Sequence, residues 1–407
     1  MLIVIDPGEV LPLIEKEFPE RPAESELLSL DHAVNRVLAY DIRSEIYVPD
    51  FNRSLVDGYA VAARDTFGCS DAIPAVLPIA YQVHMGESPS LTLTPGTCVA
   101  IPTGGAVPDG ADAVQMLEYT EDYGDGTVGI CKPAAPGNHM VYRGDDISPG
   151  DLLLHAGHTL LPKDIGALAA LGCTQVSVIP RIRIGIISSG DELIPAGEQP
   201  APGQIRDVNS HLLQALLSSP RASVKSYGIV SDRFEDLVRV LQDASASCDL
   251  ILLSGGSSAG EKDLSRRAIE ELGDVLFHGI AMKPGKPTIL GRINHIPVFC
   301  LPGHPAAAYF VTALFIKPLA NRMAHHQPPP AKQHAVLSEN ISANHGRAQY
   351  NLVRLEQHSE TCYAYPIHSK SGLITSLARA DGYICIPRDS EGIPAGSSAE
   401  IFLFNES

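Results

Sequence analysis

The sequence predicts a multidomain α/β protein that also carries β-rich modules, and three observations support this. The chain has 407 residues, 44% of them hydrophobic, which is too long for one ordinary core and apolar enough for several. Between Ile182 and about Met323, strand-like runs alternate with helical patterns, as expected of a mainly parallel sheet. On both sides of that segment, short apolar runs broken by Gly, Pro and Asp indicate β-rich modules.

Taken in order, the stretch from Pro7 to Leu38 reads as helix, with Val10, Leu13 and Ile14 and then Leu27, Leu28 and Leu30 at candidate apolar positions. From Tyr47 to about Val141 the texture changes to short apolar runs, such as 75–79 and 96–101, between turn residues. A helix is expected over 161–172, opened by Pro162 and closed by Gly172, with a strand over 175–179 after it. Helices on both sides make the module at 47–141 an insertion into a first domain of residues 1–46 and 142–180. The α/β domain then runs over 181–326, with strands at 182–187, 224–230, 250–253 and 298–301. Its helices are expected at 210–217, at 234–244, after Asp263, and at 306–316. Pro328, Pro329 and Pro330 form a stiff connector, beyond which residues 331–407 suggest a small β-domain.

The formal charge of −17 argues against nucleic acid or an anionic membrane as the main partner, so an anionic ligand must be held locally. The eight cysteines are widely separated, with no C-x-x-C pair and no zinc-type cluster, which suits reduced and mostly buried thiols. The apolar start at Met1 to Ile5 lacks a basic lead and is cut short by Asp6 and Pro7, and no later run spans a membrane; a cytoplasmic location is expected.

Chemistry concentrates at three loops that leave strand ends in the α/β segment. These are Ser188-Ser189-Gly190-Asp191-Glu192, Ser254-Gly255-Gly256-Ser257-Ser258, and Pro302-Gly303-His304-Pro305. Small residues after a strand expose backbone N–H groups and hydroxyls on which a phosphate can sit, and ligands of such sheets bind beyond the strands' carboxyl ends. Lys283 and Lys286, on the stiff segment Lys283-Pro284-Gly285-Lys286-Pro287, add two cations. Asp191, Glu192 and Asp263 have two readings, as helix caps or as holders of a metal beside the phosphate. The lysines likewise read as solvated surface charges or as an anion clamp. Within the β-rich module, the segments around Asp57-Gly58-Tyr59-Ala60, Pro102-Thr103-Gly104-Gly105 and Arg143-Gly144-Asp145-Asp146-Ile147 are dense turns with some capacity for a ligand.

Taken together and in this order, these strings, with Gly203-Gln204-Ile205-Arg206-Asp207-Val208-Asn209 and the segment 371–382, resemble the molybdopterin molybdenumtransferase family, related to the E domain of gephyrin. The resemblance covers nearly the whole chain. It implies four domains: a helical N-terminal domain, a β-rich insert, a molybdopterin-binding α/β domain and a C-terminal β-domain that is small and barrel-like. It implies a homodimer whose active site pairs the α/β domain of one subunit with the insert of the other. The reaction implied is transfer of molybdate, or of tungstate in a related branch, to adenylylated molybdopterin with release of AMP.

By the same resemblance, Asp57, Thr103, Asp146, Glu192 and Asp263 would stand near the reacting centre. Ser188, Gly190, Asp191, Ser254, Gly255, Gly256, Ser257, Ser258, Lys283, Lys286, Pro302, Gly303 and Pro305 would hold the substrate. Asp191, Glu192 and Asp263 would position Mg2+ at the phosphoanhydride. A molybdopterin adenylyltransferase and recipient apo-molybdoenzymes are the implied protein partners. Two competing readings are the preceding adenylyl transfer from ATP, and a non-catalytic molybdopterin-binding scaffold. The chain departs from the family pattern at Gly279, where many members carry lysine, and at His304, in place of an asparagine. Ser257 in place of an apolar residue, and Asn52-Arg53 ahead of Asp57, are further variations.

Overall fold

The computed structural model describes residues 4–20, 24–87, 89–255, 259–343, 346–368 and 374–404, with 259–263 described as backbone. The chain divides into two compact units, Met1–Ala39 with Ser177–Ser407, and Tyr40–Val176. The second is thus inserted into the sequence of the first.

The first unit begins with the helix Pro7–Glu17. Asp6 caps it, its Oδ1 accepting from the Gly8 N–H at 2.9 Å, while Pro7 at the first position gives up only an N–H that would have gone unpaired. Val10 and Ile14, one turn apart, are buried in the main core. The helix expected to reach Leu38 ends at Glu17 instead. Proline at 19 keeps the preceding residue out of the helical region, and Phe18 leaves at φ −125° and ψ 71°. Leu27 and Leu28 lie on the strand Glu26–Ser29 and Leu30 opens a short 3-10 turn, Leu30–His32, so the leucines form no helical face.

At the centre of this unit is a six-stranded sheet in the order Ala222–Val230, Ile182–Ser189, Leu250–Gly255, Ile296–Leu301, Ile289–Ile293, Asp274–His278. The first four strands are parallel and the last two antiparallel. Alternate side chains serve two cores: Ile184, Ile186, Leu250 and Leu252 point to one, and Ile187, Ile251 and Leu253 to the other. Both faces are covered. The helix Asn209–Leu217 and the run Pro305–Val311, which continues through one π-helical turn into Lys317–Met323, pack into the first core. The helices Phe234–Ser245 and Ala259–Leu272 pack into the second. A mainly parallel sheet buried on both sides explains why its strands read as nearly continuous apolar runs.

Beyond the triple proline, the strands Ala348–His358, Thr361–Pro366, Lys332–Leu337, Ser398–Leu403 and Gly382–Ile386 pair in that order, and the last pairs back to the first, closing a five-stranded barrel. The two-residue strand Met282–Lys283 adds to its outside, with Met282 opposite Ala348 and Lys283 opposite Gln349. An aromatic seam of Tyr309, Phe310, Tyr350, Tyr383, Phe402 and Phe404, with neighbouring ring centroids 5.0–6.0 Å apart, joins barrel and α/β layer. Such pairs add roughly 0.5–1.5 kcal/mol each beyond the area they bury.

The second unit is built on a six-stranded sheet ordered Ala113–Met116, Gly58–Val61, Cys98–Ile101, Ala75–Gln82, Thr127–Ile130, Thr120–Asp122. Its interior holds Tyr59, Val61, Leu77, Cys98, Val128 and Ile130. The helix Pro162–Ala170 belongs to this unit. Among the described residues, no helix is long and apolar enough to cross a membrane.

Candidate active site

In the first unit, strand register brings the three expected loops to one sheet edge. Ser188 lies opposite Ser254, and Ser254 opposite Leu301, so the chain leaves all three strands side by side. Ser188 and Ser189, 1% and 2% exposed, each spend their hydroxyl on a carboxylate. Ser188 Oγ donates to Asp207 Oδ2 at 2.7 Å, and Ser189 Oγ bonds to Asp232 Oδ1. The Asp232 N–H in turn donates to Asp191 Oδ1 at 3.3 Å. Glu192 folds back over the turn, since a Cβ added at Gly190 would lie 2.7 Å from its Oε2. The short strand Leu193–Ile194 follows, paired with Ile205–Arg206, so Asp191 and Glu192 cap no helix.

Gly255 is required by close approach: a Cβ there would stand 1.9 Å from the Ser189 carbonyl oxygen. The buried Ser254 hydroxyl accepts from Asn209 Nδ2 at 2.8 Å, and the same nitrogen donates to the Gly303 carbonyl at 3.0 Å. Gly256, Ser257 and Ser258, and the side chain of Asp263, lie outside the described residues; Asp263 sits on the helix Ala259–Leu272. Among the described residues no group of three His, Cys, Asp or Glu closes around a point.

Exposed Lys283 and Lys286 flank the turn at Gly285, whose carbonyl accepts from the buried Thr288 hydroxyl at 2.8 Å. They open onto a cleft of about 510 Å³ whose other walls are Pro302 and His304 from the third loop, and Arg347, Tyr350 and Asn351 from the barrel. Pro305 begins the helix Pro305–Val311 behind it. Three cations thus face one cleft with an aromatic wall. Burial pushes the Tyr350 phenol well above its usual range, so it remains a neutral group there.

In the second unit, the antiparallel register sets Gly58 opposite Ile101, which sends Asp57 and Thr103 out at the same end of the sheet. Asp57 Oδ1 accepts from the Thr103 N–H at 2.7 Å and its hydroxyl at 3.1 Å, and both residues are exposed. Gly58 allows this strand to lie against its other neighbour, because a Cβ would meet the Gln115 carbonyl oxygen at 1.8 Å. Gly104 and Gly105 hold Ser54 through backbone hydrogen bonds of 2.8 and 3.0 Å. From the same segment, Asn52 Oδ1 accepts from the Arg143 N–H at 2.9 Å, and Arg143 pairs with Asp50 over the ring of Tyr47. The Asp146 N–H donates to the Val48 carbonyl at 3.0 Å, leaving an exposed carboxylate. The segment 47–54 therefore links the turn carrying Asp146 to the Asp57–Thr103 pair.

Among the site residues unassigned in the sequence are Asp207, Asn209, Asp232 and Arg347. The first two stand in the Gly203 to Asn209 string, where a polar D-V-N at a helix start was the available signal. Asp232 follows the strand Ala222–Val230, at the edge where such sheets bind ligands. Arg347 had no local signal, because only the pairing of Met282–Lys283 with the strand Ala348–His358 brings it to the lysines.

Comparison with known proteins finds similarity along nearly the whole chain. The model of the MoeA N-terminal region (domain I and II) matches residues 5–172, that of a probable molybdopterin binding domain residues 185–322, and that of the MoeA C-terminal region (domain IV) residues 334–404. Molybdopterin molybdenumtransferase 2 of Mycobacterium tuberculosis is 35% identical over 381 residues, 92% of this chain and 93% of the relative. The molybdopterin molybdenumtransferase of Bacillus subtilis is 30% identical over 393 residues, 95% and 91% of the two chains. A solved structure of a molybdopterin biosynthesis MoeA protein from Pyrococcus horikoshii superposes with a TM-score of 0.89 at 36% identity, covering 99% of this chain and 100% of that one. A second from that organism gives 0.80 at 31%, covering 98% and 100%.

Proposed function

The chain belongs to the molybdopterin molybdenumtransferase family, a transferase of molybdenum cofactor biosynthesis, and from that premise we propose that it inserts molybdate into adenylylated molybdopterin and releases AMP. The observation that carries this reading is the cleft where Lys283, Lys286 and Arg347 converge beside the serine-lined strand ends. A phosphorylated pterin and an oxyanion are both anionic, and on a chain of net charge −17 a local cluster of cations is what can hold them. In this reading Ser188, Gly190, Asp191, Ser254 to Ser258, Lys283, Lys286, Pro302, Gly303 and Pro305 hold the substrate. Asp57, Thr103, Asp146, Glu192 and Asp263 surround the reacting centre.

The carboxylates of Asp191 and Glu192, with Asp232 bonded to the same turn, are hard oxygen donors that fit Mg2+. That ion is commonly held by one or two carboxylates together with substrate phosphates, so an all-protein cage is not needed. Bound there, it would neutralise charge on the phosphoanhydride as AMP departs. The chain's own part is to hold the phosphate with its lysines, orient the loops and keep the carboxylates in place.

We further propose four domains, 1–46 with 142–180, 47–141, 181–326 and 331–407. The active protein is proposed to be a cytoplasmic homodimer whose site takes the insert of one subunit and the α/β domain of the other. It would receive its substrate from the adenylyltransferase and pass its product to apo-molybdoenzymes. AMP release from adenylylated molybdopterin, measured with and without molybdate or tungstate in magnesium buffer, tests the reaction. Oxyanion-dependent release and a product that activates an apo-molybdoenzyme are expected. Preference for tungstate would rename the metal, while tight binding without turnover would make the protein a carrier.

A further inference from the structure

Asp207-Val208-Asn209 lies at the start of the helix Asn209–Leu217 and touches all three strand-end loops. Asn209 is 7% exposed, and among the described residues its side chain makes two hydrogen bonds, both from Nδ2, to Ser254 Oγ and to the Gly303 carbonyl. A carbonyl can only accept, which fixes the amide nitrogen toward Gly303. Oδ1 is then buried without a partner among the described residues. Two positions earlier, Asp207 accepts from Ser188 Oγ at 2.7 Å and from the Ser210 N–H at 3.1 Å.

The amide satisfies two buried acceptors with one nitrogen, while its own Oδ1 is buried without a partner among the described residues. What the amide supplies is a fixed separation. Gly303 stands between Pro302 and His304, which wall the cationic cleft, whereas Ser254 is the last residue but one of the strand Leu250–Gly255, which leads into the glycine-serine loop. One nitrogen bonded to both holds cleft wall and strand end in register.

We propose that Asn209 is a positioning residue for substrate binding: its amide ties the Ser254 strand end to the Pro302–Gly303 loop so that one anionic ligand engages both. This rests on the reading that a single phosphorylated substrate spans them. Asn209 is assigned no contact with reacting atoms. Its loss should therefore weaken binding and leave the chemical step largely intact.

Asn209→Asp keeps the shape but replaces the shared donor with an acceptor, and Ser254→Ala removes one acceptor while sparing the bond to Gly303. For the full chain and both variants we would measure KM for adenylylated molybdopterin, kcat with molybdate, AMP affinity by calorimetry, and melting temperature. Asn209→Asp should raise KM and the AMP Kd about tenfold with kcat within about threefold, the size expected for losing one to two buried hydrogen bonds. Ser254→Ala should raise both about threefold, and the double variant should be weaker than Asn209→Asp alone by less than that factor, because the two changes remove a shared bond. A lower melting temperature with KM and AMP Kd unchanged would show a purely structural amide and overturn the proposal. Should Asn209→Asp fail to fold, unchanged binding by Ser254→Ala overturns it equally. If the wild-type chain binds AMP but turns nothing over, the transferase reading fails, while the ratio of AMP affinities still decides the role of Asn209.

Discussion

At the scale of single residues, the Asp57–Thr103 pair shows how a short motif becomes a site. The glycine that follows Asp57 lets two strands approach where any Cβ would collide with Gln115, and this places the carboxylate at the sheet's end. Asp57→Asn keeps an oxygen able to accept from the Thr103 N–H, so the fold should hold while the charge is lost. Turnover of adenylylated molybdopterin is expected to fall about 100-fold, the scale of one electrostatic group at a reacting centre. Melting temperature should stay within a few degrees of wild type, as for surface substitutions that disturb no packing. Full turnover by this variant would remove Asp57 from the chemistry. Asp57 and Thr103 were singled out by the resemblance of their turns to a family pattern, and the lysines by the stiff Pro-Gly turn between them. Asp232 and Arg347 were not, because an acid after a strand and an arginine before one are ordinary until the fold shows what stands beside them.

At the scale of elements, most strands and helices followed from the sequence where period and punctuation agreed, and the first helix shows where they did not. Leucines at 27, 28 and 30 extended the apolar pattern, but Pro19 had already ended the helix at Glu17. The start of that helix is also a junction: Arg388 Nη1, which follows the barrel strand Gly382–Ile386, meets Asp6 Oδ2 at 2.7 Å. The Arg388 hydrogen bond and then the Gly8 backbone N–H hold the Asp6 carboxyl below its ordinary value of 3.8. A carboxylate whose pKa is depressed by folding lends its stability above the unfolded value and loses it as pH falls through the folded one. Asp6→Asn should accordingly melt at a lower temperature than wild type near neutral pH, and the gap should close as the buffer is taken below the ordinary carboxylate value of 3.8. A gap that persists undiminished in acid would mean that capping shape, and not charge, is what Asp6 contributes.

At the scale of the whole molecule, the candidate residues fall into two sets on two compact units: Asp57, Thr103 and Asp146 on one, and the strand-end loops with Lys283, Lys286 and Arg347 on the other. If one active site draws these sets from different subunits of a homodimer, two inactive variants should repair each other. Co-expressed Asp57→Asn and Lys283→Ala chains are expected to recover about a quarter of wild-type turnover, since random pairing makes about half the dimers mixed and each of those has one intact site. No recovery would place both sets within one chain's own site. The sequence by itself determined the α/β class, the order of modules, the turn motifs and the local need for cations on an acidic chain, because period, turn chemistry and charge are properties of neighbouring residues. Only the tertiary structure decided that Ser188, Ser254 and Leu301 stand in register, that Asn209 binds a strand end and a loop 45 and 94 positions away, and that pairing of Met282–Lys283 with the strand Ala348–His358 delivers Arg347 to the lysines. Those relations join groups far apart in the chain, and their distances are set by sheet register and core packing that no local pattern encodes.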